Sequence, residues 1–458
     1  MWCSMSIPFL WQEPFLSCLN ERSLKIITDI YMKTVSTEFE LLKSDTLFDY
    51  AKYLRYLNML PLIKGIRIWA TNKKLDCCTL MAARILDDVG RGIIKKSTGL
   101  KGISFEGDSH QLPSYCQLNL FKIFLDENPI LKSEWTSLRQ LYFRGKFHKH
   151  HLFLAASKVA RCLEDINVEN LRYEQDFEAL GQLVKKQKQL RRLKLSDFKQ
   201  SEGLQFFLRG LISEDGGSIS RSTLTNLHFS DIDLQNAPIL VILNEFPNLE
   251  SLIFSFCMNW SSCKFRDKTS NIESCHELTT LKIFATSVNI HDVCHILRSA
   301  SKLQQFELYG LFTTTTSQVL ETLAKYSPML KFLKIGLNDK DFSTFNKTLP
   351  SLTNLNHLFI GHDFQSSIYD PIHVGRYLKG FGVTIPSSLR KLDIMCNWFF
   401  TPSDLRGFLE GCQADLDYIY FGFCEIIGHN HIKVINDVAR KRGRLSKFIY
   451  LPLEINNN

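Results

Sequence analysis

The sequence predicts an α/β fold, a solenoid in which short strand–helix units stack side by side, and three observations lead to this prediction. Apolar residues at positions i, i+3 and i+5 recur along most of the 458-residue chain. From Leu138 onward, successive starts of this pattern lie 25 to 34 residues apart. The patterns are separated by segments with helical periodicity, such as Ser317 to Tyr326. Regular spacing over so many intervals indicates a repeat architecture.

The three-point pattern is that of leucine-rich repeats, whose form is L-x-x-L-x-L and whose period is roughly 20–29 residues. The two 34-residue steps contain predicted loop insertions at 213–218 and 363–371. Fourteen occurrences are found, and they begin at Ile63, Leu100, Leu138, Leu163, Leu190, Leu224, Leu249, Leu278, Leu303, Leu330, Leu355, Leu389, Leu416 and Leu445.

The spacing itself predicts the position of each part of the unit. The last two apolar residues of a pattern are two apart, so on a strand both point into the core while the residue between them points outward. In the helical segment, Val319, Leu320 and Leu323 fall on one face. Stacked units then give a horseshoe, with a parallel sheet on the concave face and helices on the convex face.

The outward strand positions change character along the array and point to a binding surface. Middle repeats present small and polar residues, whereas late repeats present rings and cations. Exposed aromatic residues beside a few charges are typical of protein-interface hot spots. An alternative is that loops cover these rings, or that the strand register is shifted by one residue and buries them. The predicted target-binding residues are Phe332, Lys334, His357, Phe359, Tyr418 and Tyr420.

The sequence contains no recognisable catalytic, metal or cofactor site, so we expect that the protein is not an enzyme and needs no cofactor. The run from His148 to His151 lacks a third ligand at a defined spacing, and Cys257, Cys263 and Cys275 lack the short pairing of zinc sites. Ser109-His110 has no partner acid, and the chain has no phosphate-binding loop.

The composition limits which cellular location and which classes of partner we expect for this protein. Thirteen scattered cysteines suit a reducing compartment, and neither a signal peptide nor a long apolar run is evident, so we expect a cytoplasmic or nuclear protein without membrane contact. A net charge of +8 is modest for this length and does not by itself indicate nucleic acid. The basic run from Arg440 to Arg444 is either a nuclear-localisation patch or the charged end of a last helix capped by Gly443.

The N-terminal segment resembles the closing part of an F-box. Trp2-Cys3, then Pro8, then Leu10-Trp11 match the end of that motif, and the stretch from Leu47 to Leu57 is similar to the linker helix that follows it. The chain thus resembles fungal-type F-box/leucine-rich-repeat proteins, with the F-box truncated at its N-terminus to its last helix. A simpler reading is that Trp2 and Trp11 cap the open end of the solenoid.

The resemblance implies a function and a division of the chain. F-box proteins of this type are substrate-recognition subunits of SCF-type E3 ubiquitin ligases, so Trp2, Pro8, Leu10 and Trp11 would contact a Skp-type adaptor while the repeats hold a target protein for ubiquitin-dependent degradation. Residues 1–15 would be the F-box remnant, 16–60 a helical linker or cap, and 61–458 a solenoid of about 13–14 irregular repeats. The alternatives are an interaction scaffold without ubiquitin-ligase function and a nucleic-acid-binding solenoid, whose affinity would fall steeply with salt.

Overall fold

The structure, a computed structural model, divides into two compact units, Met1–Leu224 and Thr225–Asn458. The predicted insertions at 213–218 and 363–371, the Ser109-His110 pair and Gly443 lie outside the residues it describes. The described residues are 10–15, 20–35, 50–73, 89–97, 99–106, 135–145, 148–198, 202–212, 223–235, 237, 239–260, 275–309, 316–338, 340–361, 372–395, 398–422, 427–442 and 447–451.

The first unit contains five strands that pair in parallel with their neighbours in chain order. They are β1 (Tyr56–Asn58), β2 (Gly102–Glu106), β3 (Gln140–Arg144), β4 (Asp165–Glu169) and β5 (Arg192–Phe198). Helices of the same unit pack in neighbouring pairs: α1 on α2, α3 on α4, and α4 on α5. They are α1 (Glu21–Val35), α2 (Met59–Asn72), α3 (His150–Val159), α4 (Glu174–Lys185) and α5 (Gly203–Ile212).

The second unit repeats this arrangement, and its main strands again pair in parallel in chain order, while β12 and β14 form a small separate ladder. The strands are β6 (Asn226–Ile232), β7 (Ser251–Ser255), β8 (Thr280–Phe284), β9 (Gln305–Tyr309), β10 (Phe332–Gly336), β11 (His357–Gly361), β12 (Ile372–His373), β13 (Lys391–Met395), β14 (Trp398–Phe399), β15 (Tyr418–Gly422) and β16 (Lys447–Leu451). The helices are α6 (Ile239–Asn244), α7 (Ile290–Ser299), α8 (Ser317–Tyr326), α9 (Phe342–Thr348), α10 (Gly375–Thr384), α11 (Pro402–Gly411) and α12 (His429–Arg442).

The three-point pattern forms the core. In the twelve patterns that begin between Leu100 and Leu416, all three apolar residues are buried, and the last two lie on a strand. In β10, for example, Leu333 and Ile335 are fully buried, while Phe332 and Lys334 on the opposite face are half-buried. The alternation confirms the predicted register and the leucine-rich-repeat solenoid fold. Over the described part of the chain, no helix has both the length and the apolar content that a bilayer span requires.

The first predicted pattern is wrong, because Ile63, Ile66 and Ile68 lie on helix α2 and not on a strand. Apolar residues at i and i+3 share a face on a helix as well. The helix is favoured here because the side chain of Asn58 accepts a hydrogen bond from the backbone N–H of Leu60 at 3.2 Å and so caps the first turn.

The true first strand carries the same pattern in another place, at Leu54, Leu57 and Met59, which are all buried. Leu57 of β1 pairs with Ile103 of β2. In the described part of the Leu47–Leu57 stretch, a short 3-10 helix, Tyr50–Tyr53, leads into this strand, so this part is not the continuous linker helix that the resemblance implied.

In a run of consecutive repeats, the residue that follows the strand core has an unusual backbone conformation. Five consecutive strands, β4 to β8, place a non-glycine residue with positive φ five positions after the first strand residue, namely Asn170, Asp197, Asp231, Phe256 and Ala285. Asn and Asp tolerate this left-handed conformation, whereas bulky side chains rarely adopt it. Ala285 and Phe256 depart from the Asn and Asp of the other three positions, and Phe256, with φ of 56°, is the bulky one.

Buried carboxylates join one repeat to the next. Asp176 at the start of α4 accepts hydrogen bonds from the backbone N–H groups of Lys149 and His150, at 2.9 and 2.6 Å, and so caps α3 of the preceding repeat. Asp341 does the same for α8, accepting from the Thr316 N–H and the Ser317 hydroxyl. Both carboxylates are fully buried, and burial raises the pKa of Asp176 above its ordinary value.

Candidate protein-binding site

The six predicted target-binding residues lie together on the outward side of strands β10, β11 and β15 of the second unit. All six are half-buried at the sheet surface, and we call them the sheet-face patch. Parallel pairing places Phe332 beside His357 and Lys334 beside Phe359. β13 separates Phe359 from Tyr420 and contributes Asp393 to the same row, a residue that the sequence analysis did not single out.

Lys334 lies between two aromatic rings. Its Nζ is 4.4 Å from the ring centre of Phe359 and 4.7 Å from that of Tyr309. Both distances are within the range of cation–π attraction, which favours this position of the ammonium group at the sheet surface. No described carboxylate forms an ion pair with Lys334. The site therefore presents a positive charge framed by aromatic faces.

Asp393 is the polar centre of the patch. Its Oδ2 accepts a hydrogen bond from the hydroxyl of Tyr418 at 3.2 Å, and the same oxygen is hydrogen-bonded to Nε2 of His357. Burial, followed by the charge of Asp393 and this hydrogen bond, raises the pKa of Tyr418 to about 12. Phe332 contacts the His357 ring edge to face, with ring centres 4.8 Å apart. The network fixes the orientation of the side chains on three strands.

The neighbouring acidic residue, Glu307 on β9, is neutralised by an ion pair. Nζ of Lys282 lies 2.9 Å from its Oε1, and the side-chain amide of Gln305 donates to the same oxygen at 2.7 Å. Glu307 has a cationic partner in Lys282 and Asp393 is engaged by His357 and Tyr418, whereas Lys334 has no ion-pair partner among the described residues.

An aromatic row extends the patch toward earlier repeats, and the sequence analysis missed it. Phe256 meets Phe284 edge to face at 4.9 Å between ring centres, Phe284 stacks on Tyr309 at 5.7 Å, and Tyr309 meets Phe359 at 6.2 Å. Phe256, Phe284, Tyr309 and Phe359 form what we call the aromatic row. Phe284 and Tyr309 occupy the last outward position of their strands, so the alternation rule could have found them.

A glycine makes the contact between the row and β11 possible. A Cβ added at Gly361 would overlap the ring of Tyr309 and lie 3.4 Å from the ring of Phe359. Tyr309 therefore lies across the backbone of Gly361, and any larger residue would displace its ring.

The first unit has a recess of about 360 Å³ on the outward side of β1, β2 and β3. Its floor includes Gly102, where a Cβ would lie 2.6 Å from the ring of Tyr56. Glu13, Glu106 and Tyr142 also line it. The hydroxyl of Tyr142 is 3.1 Å from Oδ2 of Asp165, to which it donates. A recess of this volume falls within the range of small-ligand pockets, roughly 300–1,000 Å³.

The predicted adaptor-binding residues fall at the start of the described chain. Leu10 is 70% exposed. Trp11 is half-buried, and its ring centre lies 4.3 Å from that of Tyr50 and 5.7 Å from that of Tyr31. Trp2 and Pro8 are outside the described residues. The packing of Trp11 fits the simpler alternative, in which this ring covers the end of the repeat array.

The remaining sequence candidates that the structure describes have other partners, whereas Cys263 lies outside the described residues. In the described residues, no group of three or more His, Cys, Asp or Glu side chains could hold a metal ion. His148 stacks on Tyr173, and Lys149 is buried with its Nζ 2.6 Å from the Gly145 carbonyl oxygen. Cys257 is buried, which raises its pKa to about 12 and keeps it a thiol.

No protein-family model and no curated protein sequence matches this chain. Among solved structures, an internalin (inlF) of Listeria monocytogenes aligns at 15% identity and a TM-score of 0.39, covering 70% of this chain and 82% of its own. A chain of the crystal structure of the Rad7 and Elc1 complex in yeast aligns at 12% identity and a TM-score of 0.36, covering 89% of this chain and 90% of its own. The leucine-rich-repeat-containing protein LegL7 of Legionella pneumophila aligns at 12% identity and a TM-score of 0.31, covering 75% of this chain and 91% of its own. All three TM-scores are below 0.5, so the fold assignment rests on the strand register and burial described above.

Proposed function

We propose that this protein is a non-catalytic recognition subunit that holds a target protein on the sheet-face patch. The observation that carries the proposal is the arrangement of Lys334 between Tyr309 and Phe359. Interface hot spots are enriched in aromatic rings, and here the rings also hold a cation in place by cation–π attraction, where it can pair with a charge of the target. The network around Asp393 holds the patch in one conformation before binding, which reduces the entropy lost on association.

Capture of target proteins tests this proposal. Tagged full-length protein is crosslinked in cells, and the captured proteins are compared between the wild type and a variant that combines Phe359→Ala with Tyr420→Ala. Val383→Asn is the matched control, because Val383 is 61% exposed on α10, in the helical layer. We expect at least one protein that the wild type and the control retain and the double variant loses. Identical captured sets from all three, with the double variant still folded, would contradict the proposal.

We further propose that the recognition subunit serves an SCF-type E3 ubiquitin ligase, through adaptor contacts of Trp2, Pro8, Leu10 and Trp11. What supports this step is the F-box-like sequence at the N-terminus together with the exposure of Leu10. The contribution to ubiquitin transfer would be proximity, since the target is held close to the transferring enzyme.

Binding to a purified Skp-type adaptor tests the ligase role. We expect calorimetry to detect binding by the full-length chain and about a tenfold loss in Leu10→Asp, because a buried charge replaces an apolar anchor. Ile26→Asp is the matched control, since Ile26 is also exposed, at 53%, on α1. Absence of adaptor binding would favour the second candidate, an interaction scaffold without ubiquitin-ligase function that uses the same sheet-face patch.

A further inference from the structure

Phe256 is held in a conformation that its own side chain disfavours. It has a φ of 56°, while the equivalent positions of the preceding three strands carry Asn170, Asp197 and Asp231, residues that adopt this conformation readily. A strained bulky residue persists where the surrounding structure or a function requires it.

Burial does not explain the strained phenylalanine. The side chain of Phe256 is 54% exposed, and Met258, two residues later, is 47% exposed. Its packing partner is the half-buried ring of Phe284, at the start of the aromatic row. An exposed ring in a strained backbone contributes little to the fold, and adjoining exposed apolar groups mark interaction sites.

The aromatic row is long and narrow. Its four rings come from β7, β8, β9 and β11, which are joined by continuous parallel pairing through β10, and each ring contacts the next. A strip about one side chain wide matches an extended polypeptide, whose alternate side chains point to one side. A flat partner surface would need a broader apolar area.

The charged residues beside the aromatic row indicate which charge the bound segment carries. Lys334 lies at the end of the row near Phe359 and has no described carboxylate partner, whereas Glu307 is already paired with Lys282. A carboxylate brought to Lys334 would form an ion pair beside two rings that exclude water, where the attraction is strongest. A basic segment would compete there for acids that are already engaged, Glu307 by Lys282 and Asp393 by His357 and Tyr418.

We propose that the aromatic row, with Lys334 at one end, is the docking surface for an extended acidic segment of a partner protein. Apolar or aromatic side chains of the segment pack on Phe256 and Phe284, and an Asp or Glu pairs with Lys334. The inference rests on the proposed function and specifies which part of the partner is recognised and by which residues.

A peptide selection tests the proposal. A displayed library of random 12-residue peptides is selected on immobilised full-length protein, and the enriched peptides are synthesised and measured by fluorescence anisotropy. We expect Asp or Glu together with aromatic or large aliphatic residues in the enriched peptides. Lys334→Glu should weaken their binding about tenfold, and exchange of the peptide's carboxylate for Lys should restore it. Lys347→Glu, an exposed charge reversal on α9, is the matched control and should leave the affinity unchanged.

Phe256→Asn separates binding from folding. Asn fits the left-handed conformation, so we expect unchanged or higher resistance to urea, together with peptide binding weakened at least fivefold. Three results would overturn the inference. The first is enrichment of basic peptides, and the second is no enrichment relative to the variant that combines Phe256→Asn with Lys334→Glu. The third is full peptide affinity in Phe256→Asn. If peptides instead lose affinity only with Tyr418→Ala and Tyr420→Ala combined, the sheet-face patch still binds and only the docking surface proposed here is wrong.

Discussion

The hydroxyl of Tyr418 donates a hydrogen bond to Oδ2 of Asp393 over 3.2 Å, which links strand β15 to strand β13. The carboxylate opposes the ionisation of the phenol in two ways, through its charge and by accepting the proton of the hydroxyl.

Replacing Asp393 by Asn should therefore lower the pKa of Tyr418 from about 12 toward its ordinary value of about 10. Burial remains in the variant and keeps part of the increase. The measurement is an NMR titration of the tyrosine Cζ resonances, assigned by Tyr418→Phe. An unchanged midpoint would mean that burial alone sets the pKa. Asp415→Asn, which alters an exposed carboxylate paired with Arg390, should have no effect and serves as the control.

Lys149 should make the stability of the first unit depend on pH. Burial lowers its pKa to about 7, whereas the unfolded chain keeps it near 10.4, so between these values the unfolded state binds more protons. Stability should then rise with pH above about 7, by at most about 1.4 kcal/mol per pH unit, as the cost of burying the charge disappears.

Urea midpoints near pH 6.5 and near pH 8.5 provide the measurement, and the comparison is with Lys149→Met, in which this rise should be absent. Lys158→Met changes an exposed lysine of the same helix and should keep the wild-type difference. Equal pH dependence in all three proteins would show that Lys149 does not titrate in this range.

Gly361→Ala should disturb the aromatic row, because the added methyl group overlaps the ring of Tyr309. We expect a loss of about 1 kcal/mol in the free energy of unfolding. Tyr309→Ala in the same chain removes the overlap, so the double-mutant cycle should give a favourable coupling energy of similar size. If the losses in the free energy of unfolding are additive, with no coupling between positions 309 and 361, the overlap with Tyr309 is not the cause of the destabilisation by Gly361→Ala.

The repeat pattern was sufficient to predict most of the fold, because each buried triplet satisfies the alternation of a strand at one fixed spacing. It misassigned Ile63, Ile66 and Ile68, since the first two positions of the pattern suit a helix equally well and the cap by Asn58 decides between them. The pattern at Leu54, Leu57 and Met59 is also present in the sequence, but its last residue already belongs to α2, so strand and helix periodicities overlap at this point.

The sheet-face patch followed from the same alternation, and its outward orientation was correctly predicted. Its partners were not: the hydrogen bond from Tyr418 to Asp393 and the contact of Lys334 with Tyr309 join strands whose residues are 25 positions apart. The strain at Phe256 was also beyond sequence reasoning, because positive φ there becomes visible only when the backbones of successive repeats are compared.

The parallel ladder from β7 to β11 also sets a minimum length for the bound segment of the partner. Five adjacent strands span four interstrand steps, about 19 Å in all, and an extended chain of about six residues covers that distance. Shorter segments can reach either Phe256 or Phe359, the two ends of the aromatic row, but not both. The minimal recognised sequence is consequently set by the number of stacked repeats between these two residues, and inserting or deleting one repeat would change it by one to two amino acids.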